Sequence, residues 1–329
     1  MGEVKVTDAE LGVETVEGLV ESYGLIGGFM ARNLYEAAKI LVSMLNDPEA
    51  TVIVSFTANL VSTGLRGLFR GIIERGFVDV VVTTAGTVDH DVAKSMGGVY
   101  FMGSFDADDS ELWERGIHRI GNVFVRREHY GPLIERAVHE ALSKVGKDRV
   151  SVRELLWVLA DILDDSSIIR ASRKACVPIY IPGFVDGAFG TAILTYNEAQ
   201  RARSGGRQVF VDVVEDEREL MNIIYNSKKL GALIIGGGIS KHHVIWWSQF
   251  RGGLDYVIYV TTATEWDGSL SGARPKEAIS WGKVKASAHS TYVIGDATII
   301  LPILLNYAAS KVGFRKRNLG IYPWQCPSM

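Results

Sequence analysis

The chain has 329 residues, of which 47% are hydrophobic and 22% charged, a folded globular composition that excludes disordered and collagen-like chains. Its 35 Lys+Arg against 38 Asp+Glu leave a net charge of −3, so no polybasic footprint for nucleic acid is present. Two cysteines, Cys176 and Cys326, are too few for a disulfide framework or a four-ligand zinc site, and they read as packing residues in a reducing cytoplasm.

In chain order, residues 1–26 are acidic, lack the basic-then-apolar layout of a signal peptide, and read as a peripheral arm. Residues 27–329 read as a single α/β domain. Residues 51–56 and 78–84 are continuous β-branched runs, as parallel strands covered on both faces require. Between them, residues 64–75 set Leu65, Leu68, Phe69, Ile72 and Ile73 at helical spacing, with Gly76 as the stop. The charged stretch 106–165 is helix-rich and reads as an insertion or a cap on the sheet. Strand patterns return at 177–181 and 208–213, with an exposed loop at 201–207 between them. A helix is expected over 215–229, a strand over 232–235, a helix over 242–250, and strands over 254–260 and 291–294. The longest apolar run, 297–305, contains Pro302 and is too short for the ~20 residues that span a bilayer. The β-α-β-α order predicts a three-layer, doubly wound, Rossmann-like parallel sheet in a soluble cytoplasmic protein.

Ligands of such sheets bind beyond the carboxyl ends of the strands. Those ends are small and polar here: Ser55 to Ser62, Thr83 to Thr87, Gly236 to Gly238, and Thr261 to Ala263. Small residues let backbone N–H groups approach a phosphate, and hydroxyls or Asn59 suit ribose and amide groups. Each loop taken singly also reads as an ordinary turn, and the G-x-G-x-x-G fingerprint is absent. Four loops in register with four strands point to a dinucleotide.

Residues 265–283 combine Trp266, Asp267, Lys276, Glu277, Trp281 and Lys283 in a Gly/Ser-rich stretch. A lysine against an aromatic wall is a candidate nucleophile, and Lys283 is better placed than Lys276. Asp267, Glu277 and Trp281 suit a cationic substrate. A solvated lysine beside a packing tryptophan fits the same composition. Of His242 and His243, adjacent residues point apart, so at most one faces the strand-end crevice. It reads as a proton shuttle or a buried hydrogen-bonded ring, and neither histidine has ligand spacing for a metal.

Four segments become specific together: Ser55 to Ser62, Val81 to Gly86, Gly236 to His243, and Ser271 to Lys283. With Arg119 to Asn122 and Asp186-Gly187, they resemble deoxyhypusine synthase, most closely its archaeal form, over nearly the whole chain. The resemblance implies transfer of a 4-aminobutyl group from spermidine to one lysine of the hypusine-containing translation factor. In that scheme NAD takes and returns a hydride, and an active-site lysine carries the group as an imine. By matched position Lys283 is the nucleophile and His242 stands beside the oxidised amine. Asp89, Gly268, Ser269, Glu277 and Trp281, with His242, line the polyamine site. NAD is expected at Ala58, Asn59, Leu60, Val61, Ser62, Thr84, Ala85, Gly86, Asp186, Gly237, Thr262, Ala263, Asp296 and Ala297. Relatives imply a homotetramer in which an N-terminal arm covers the neighbour's entrance, with no membrane, nucleic acid or metal partner. Asp89-His90, Thr191, Leu270 and Trp246 depart from the family's polar pattern. The alternatives are transfer to a free polyamine, as in homospermidine synthases, or another donor such as agmatine.

Overall fold

The computed structural model describes residues 5–326, so the first four residues of the expected arm lie outside the described residues. The chain divides into two compact units. The first takes the N-terminal segment to Phe56 together with Arg75–Val80 and Met221–Pro323. It holds four strands in the spatial order Val284–Ile294, Leu254–Thr261, Lys229–Ile235, Ala50–Phe56, all paired in parallel. Val54 lies opposite Leu233, Leu233 opposite Ile258, and Ile258 opposite Thr291. The central strands are buried nearly throughout, which is why their apolar runs are continuous rather than alternating. The helix Phe29–Asn46 buries Leu34, Ala37, Ala38, Leu41, Met44 and Leu45 at helical spacing, packing on this sheet and on the helix Ala297–Val312. Each large side chain so buried contributes roughly 1.5–3 kcal/mol.

The edge strand Val284–Ile294 is eleven residues long, whereas the sequence suggests only 291–294. Its first half, Lys285 to Ser290, is polar because an edge strand has one open side. Beneath the Ala50–Phe56 strand, buried Asp79 accepts from the Val52 N–H at 2.7 Å and from Arg315 Nη1 at 2.9 Å. Burial raises the Asp79 pKa, and the Arg315 charge opposes that rise.

The second unit comprises Thr57–Glu74, Val81–Leu220 and, among the described residues, Trp324 to Cys326. Val81 and Val82 pair in parallel with Ile179 and Tyr180. The helices Ala85–Ser95, Gly131–Lys144 and Ala188–Arg201 pack on one another. Asp91, fully buried, accepts from Arg66 Nε (2.7 Å), Ser167 Oγ (2.7 Å) and the N–H groups of Ile168 and Ile169 (both 3.0 Å). Within 106–165 the expected helices Asp109–Glu114, Gly131–Lys144 and Val152–Leu159 form. A three-stranded antiparallel sheet, Tyr100–Met102, Val123–Arg126, Ile117–Ile120, is an addition to the sequence reading.

The parallel-stranded α/β class is the one the sequence predicts, and two expectations are corrected. Residues 208–213 yield only the strand Phe210–Val211, paired with Arg149–Val150 in a separate two-stranded ladder. Phe210 is exposed there, so the run is not a strand covered on both faces. Cys176 and Cys326 are not free packing residues: they form a disulfide across 150 positions, with their Cα atoms 5.5 Å apart. Only the fold brings such distant positions together, and the bond removes the cysteine argument for a reducing compartment.

Candidate active site

The site in the first unit is built where the Leu254–Thr261 strand ends. Gly272 allows the returning loop to touch the outgoing one, since a Cβ there would lie 1.7 Å from the Thr264 carbonyl oxygen. Pro275, with its fixed φ, then opens the short helix Pro275–Ile279. Lys283 follows, just ahead of the edge strand. Its N–H donates to the Ala278 carbonyl and its own carbonyl accepts from the Leu254 N–H, both at 3.0 Å. The backbone of Lys283 is thus held from two sides.

The Lys283 side chain opens onto a cavity of about 320 Å³ that is also lined by Lys241, His242, Trp246, Glu277 and Trp281. Lys283 is 8% exposed, and its Nζ lies 5.0 Å from the Trp281 ring centroid and 6.0 Å from that of Trp246. His242 projects from the helix Gly238–Ser248, and its ring stacks on Trp246 at 5.8 Å and 22°. Burial, and then the charge of Lys283, lower the His242 pKa, so its ring is neutral at pH 7. Glu277 sits in the first turn of its helix, and Gly268 lies on the cavity wall. Ser269 is exposed outside that lining and donates its N–H to Asp267 Oδ1 at 2.7 Å. His243 is absent from the lining, and burial lowers its pKa to about 4.

Among the other first-unit candidates, Gly237 precedes the His242 helix, and the next N–H, of Gly238, donates to Ser271 Oγ at 3.2 Å. Thr262 and Ala263 follow the Leu254–Thr261 strand, and the Ala263 N–H donates to Thr261 Oγ1. Asp296 caps the helix Ala297–Val312, accepting from the Thr298 N–H at 2.8 Å.

In the second unit Ala58 and Gly86 touch: a Cβ on Gly86 would fall 2.8 Å from that of Ala58. Thr84 opens the eleven-residue helix Ala85–Ser95 without a side-chain cap, leaving first-turn N–H groups for an anion. Asn59 is exposed, whereas Leu60, Val61 and Ser62 are buried. The carbonyls of Val61, Ser62 and Thr63 converge on Lys94 Nζ at 2.7–2.9 Å. Asp186 is exposed just before the helix Ala188–Arg201. Asp89 is buried and accepts from the Phe189 N–H (2.8 Å), the Ala188 N–H (3.0 Å) and Tyr130 Oη (3.1 Å). Burial raises its pKa against those donors.

The deoxyhypusine synthase family profile matches residues 18–308. This chain belongs to the deoxyhypusine synthase family. A "Probable deoxyhypusine synthase" of Pyrobaculum aerophilum is 52% identical over 287 residues, covering 87% of this chain and 98% of that one. Its counterpart in Ignicoccus hospitalis is 50% identical over 300 residues, covering 91% and 93%. A crystal structure provisionally described as a deoxyhypusine synthase from Entamoeba histolytica shares the fold at 22% identity. It has a TM-score of 0.63 and coverage of 95% of this chain and 99% of that one. The chain is therefore an aminobutyl transferase of hypusine biosynthesis.

Sequence reasoning gave no role to Lys241, which lines the same cavity of this synthase. Its signal was helical phase: it shares a buried face with Val244, Ile245 and Ser248. Its Nζ donates to the Ala273 carbonyl at 2.8 Å and lies 4.1 Å from the Tyr259 ring centroid. Burial lowers its pKa to about 8, with Glu277 opposing. In the unfolded chain the lysine keeps its proton up to ~10.4, so between the two values the unfolded state binds more protons. Lys241 therefore makes stability rise with pH across that window. Lys241→Met is expected to flatten that rise, read as the difference between urea midpoints at pH 8 and pH 10. An unaltered difference in the variant would contradict the assignment.

Proposed function

We propose that this enzyme moves a 4-aminobutyl group from spermidine to one lysine of the hypusine-containing translation factor, with NAD as recycled cofactor and Lys283 as carrier. The observation that carries this reading is the Lys283 amine, which opens onto the cavity with His242, Glu277 and Trp281. Among the described residues Lys283 has no ion pair, so its amine is not held by a fixed counter-charge.

NAD would be held by Ala58 to Ser62, Thr84 to Gly86, Asp186, Gly237, Thr262-Ala263 and Asp296-Ala297. The uncapped helix start after Thr84 and the close approach of Gly86 to Ala58 suit a phosphate on bare backbone. Bound NAD would supply the hydride acceptor and, once reduced, would return the same hydride to the imine carbon on the acceptor lysine, so no net oxidation would result. The residues of the chain do the rest. The lone pair of the Lys283 amine forms a bond to the carbon of the butyl imine, and diaminopropane leaves with its electron pair and a proton. The acceptor lysine then displaces Lys283 in the same way. His242, neutral near pH 7, takes up and returns the proton. Glu277 and Trp281 hold the cationic chain, with Gly268 and Ser269 in the adjoining loop. Asp89 acts through Gly187 to Phe189, the segment it anchors next to Asp186.

The same reading makes the enzyme a cytoplasmic homotetramer with one catalytic domain over 27–329. No helix among the described residues is long and apolar enough to cross a membrane. The helix Val16–Ile26 is docked on its own chain through Glu17 to Lys311 and Glu21 to Tyr307. An arm reaching a neighbour is therefore drawn from the residues before that helix.

Mass spectrometry of the cognate translation factor, incubated with enzyme, NAD and spermidine, is expected to find one lysine carrying an added aminobutyl group. Parallel reactions with agmatine as donor, or with putrescine as acceptor, separate the alternatives. Modification with agmatine only, or of putrescine only, would replace this reading. Calorimetry tests the cofactor contacts. Asp296→Ala is expected to weaken NAD binding roughly tenfold, as loss of a charge-assisted hydrogen bond does. Asp296→Ser keeps the helix cap and separates the two roles, so wild-type affinity in both variants would remove Asp296 from the site.

A further inference from the structure

Trp246 has no role in the reading above, yet its position beside Lys283 is specific. It lies on the helix Gly238–Ser248 four residues after His242 and four before Phe250. His242 stacks on its ring, and Phe250 meets that ring edge-on at 5.7 Å and 83°. The indole is thus oriented by its own helix on one side and by the turn Gln249–Arg251 that follows it on the other. Trp281 lines the same cavity from a different element, the turn after Pro275–Ile279. The Lys283 nitrogen is within about 6 Å of both rings, the distance at which a π face attracts a cation. No carboxylate is ion-paired with that nitrogen among the described residues.

We propose that Trp246 and Trp281 form a two-sided indole box that stabilises the positive charge of a carbon–nitrogen double bond made on Lys283, with Trp246 as a specificity-determining wall. The chemistry favours indoles over a carboxylate at this point. A carboxylate held against Nζ stabilises the ammonium ion, the form of lysine that cannot attack. An indole face attracts the ammonium as well, but it holds that form less firmly than a carboxylate does and costs less desolvation than a buried ion pair. Once the amine becomes an iminium, its charge spreads over nitrogen and carbon, and two flat faces match that planar ion. The proposed box therefore favours an unbranched alkyl imine, whose flat C=N group can lie against an indole face, over one branched next to the C=N carbon, whose methyl groups hold it off the ring.

The inference rests on the reading of Lys283 as the carrier amine, and its test needs neither NAD nor the protein acceptor. With butanal as probe, the neutral Lys283 amine, one proton and the aldehyde give the iminium ion and one water. Added cyanoborohydride then delivers a hydride to carbon, leaving a stable butyl-lysine. Peptide mass mapping reads the site and the rate. Wild-type enzyme is expected to be butylated at Lys283 ahead of its other lysines. Trp246→Phe, which keeps a π face, is expected to stay within about twofold. Trp246→Met, which keeps bulk without the face, is expected to slow labelling of Lys283 roughly three- to tenfold, while the surface lysines label as before. Branched 2-methylpropanal is expected to gain on butanal in the Met variant. Melting curves and the surface-lysine rates report whether a variant has kept its fold. Wild-type rate and aldehyde preference in Trp246→Met would overturn the box while leaving Lys283 in place. Absence of Lys283 labelling in the wild type would overturn the carrier reading and the box with it.

Discussion

Lys283→Arg is expected to reduce aminobutyl transfer by a factor on the order of 10⁴ or more, the scale on which covalent enzymes lose activity without their nucleophile. The guanidinium stays protonated at any working pH, so it has no lone pair to offer an imine carbon. Arginine also keeps the positive charge and most of the length of lysine. It can occupy the space between Trp281 and Trp246, where the wild-type Nζ lies 5.0 Å and 6.0 Å from the ring centroids. The fold and NAD affinity are therefore expected to stay close to wild type, and melting curves and calorimetry check both. Borohydride trapping with NAD and spermidine is the direct readout: an aminobutyl adduct on Lys283 in the wild type and none in the variant. Lys241→Arg is the matched control, because Lys241 lines the same cavity but its amine is committed to the Ala273 carbonyl. A trapped adduct on Lys241 or Lys285, or full transfer by Lys283→Arg, would falsify the carrier assignment.

The parts of this fold that were legible are those whose burial is two-sided. The strands Ala50–Phe56 and Leu254–Thr261 follow from continuous β-branched runs because the sheet and its helices cover them on both faces. The first half of Val284–Ile294 was not legible, because an edge strand carries polar residues that read as loop. The antiparallel sheet in the second unit had a signal that composition masked. Ile117–Ile120 and Val123–Arg126 are separated by only Gly121 and Asn122, a two-residue hairpin turn with Gly121 at φ 58°. The flanking charges favoured helix instead. At the site, Lys283, Glu277 and Trp281 were singled out by composition and placed by resemblance. Their gathering with His242, which comes from a different helix, was not derivable from spacing. Lys241 was overlooked because a lysine in a polar motif reads as solvated until the helix phase is drawn. The three donors to Asp89 also make it an anchor for the start of the helix Ala188–Arg201, about a hundred positions away, a use that no local pattern reveals.

Cys326→Ser is expected to lower the melting temperature by roughly 5–10 °C, the largest stability effect expected of any single change outside the buried core. The Cys176–Cys326 bond closes a loop across 150 positions, and the chain-entropy account assigns a closure of that size about 5 kcal/mol as an upper figure. Packing adds a second contribution of its own. The Arg153 guanidinium sits in the corner formed by two indoles that meet edge-on, 4.5 Å from the Trp157 centroid and 4.3 Å from that of Trp324. It also makes a bidentate pair with Glu219 at 2.6 Å on both arms. Trp324 is two residues before Cys326, so the disulfide ties down one face of this buried ion pair. Without the bond, fraying of the C-terminus exposes Arg153 to water and weakens a pair whose burial makes it sensitive to losing a neighbour. Cys176→Ser, the double variant, and wild type in dithiothreitol are expected to give the same shift as Cys326→Ser, because each removes the same bond. Thiol titration of unreduced, denatured protein is expected to find no free thiol. Two reactive thiols in that titration, or additive losses in the double variant, would mean that the cysteines act separately and that the C-terminus is held by packing alone.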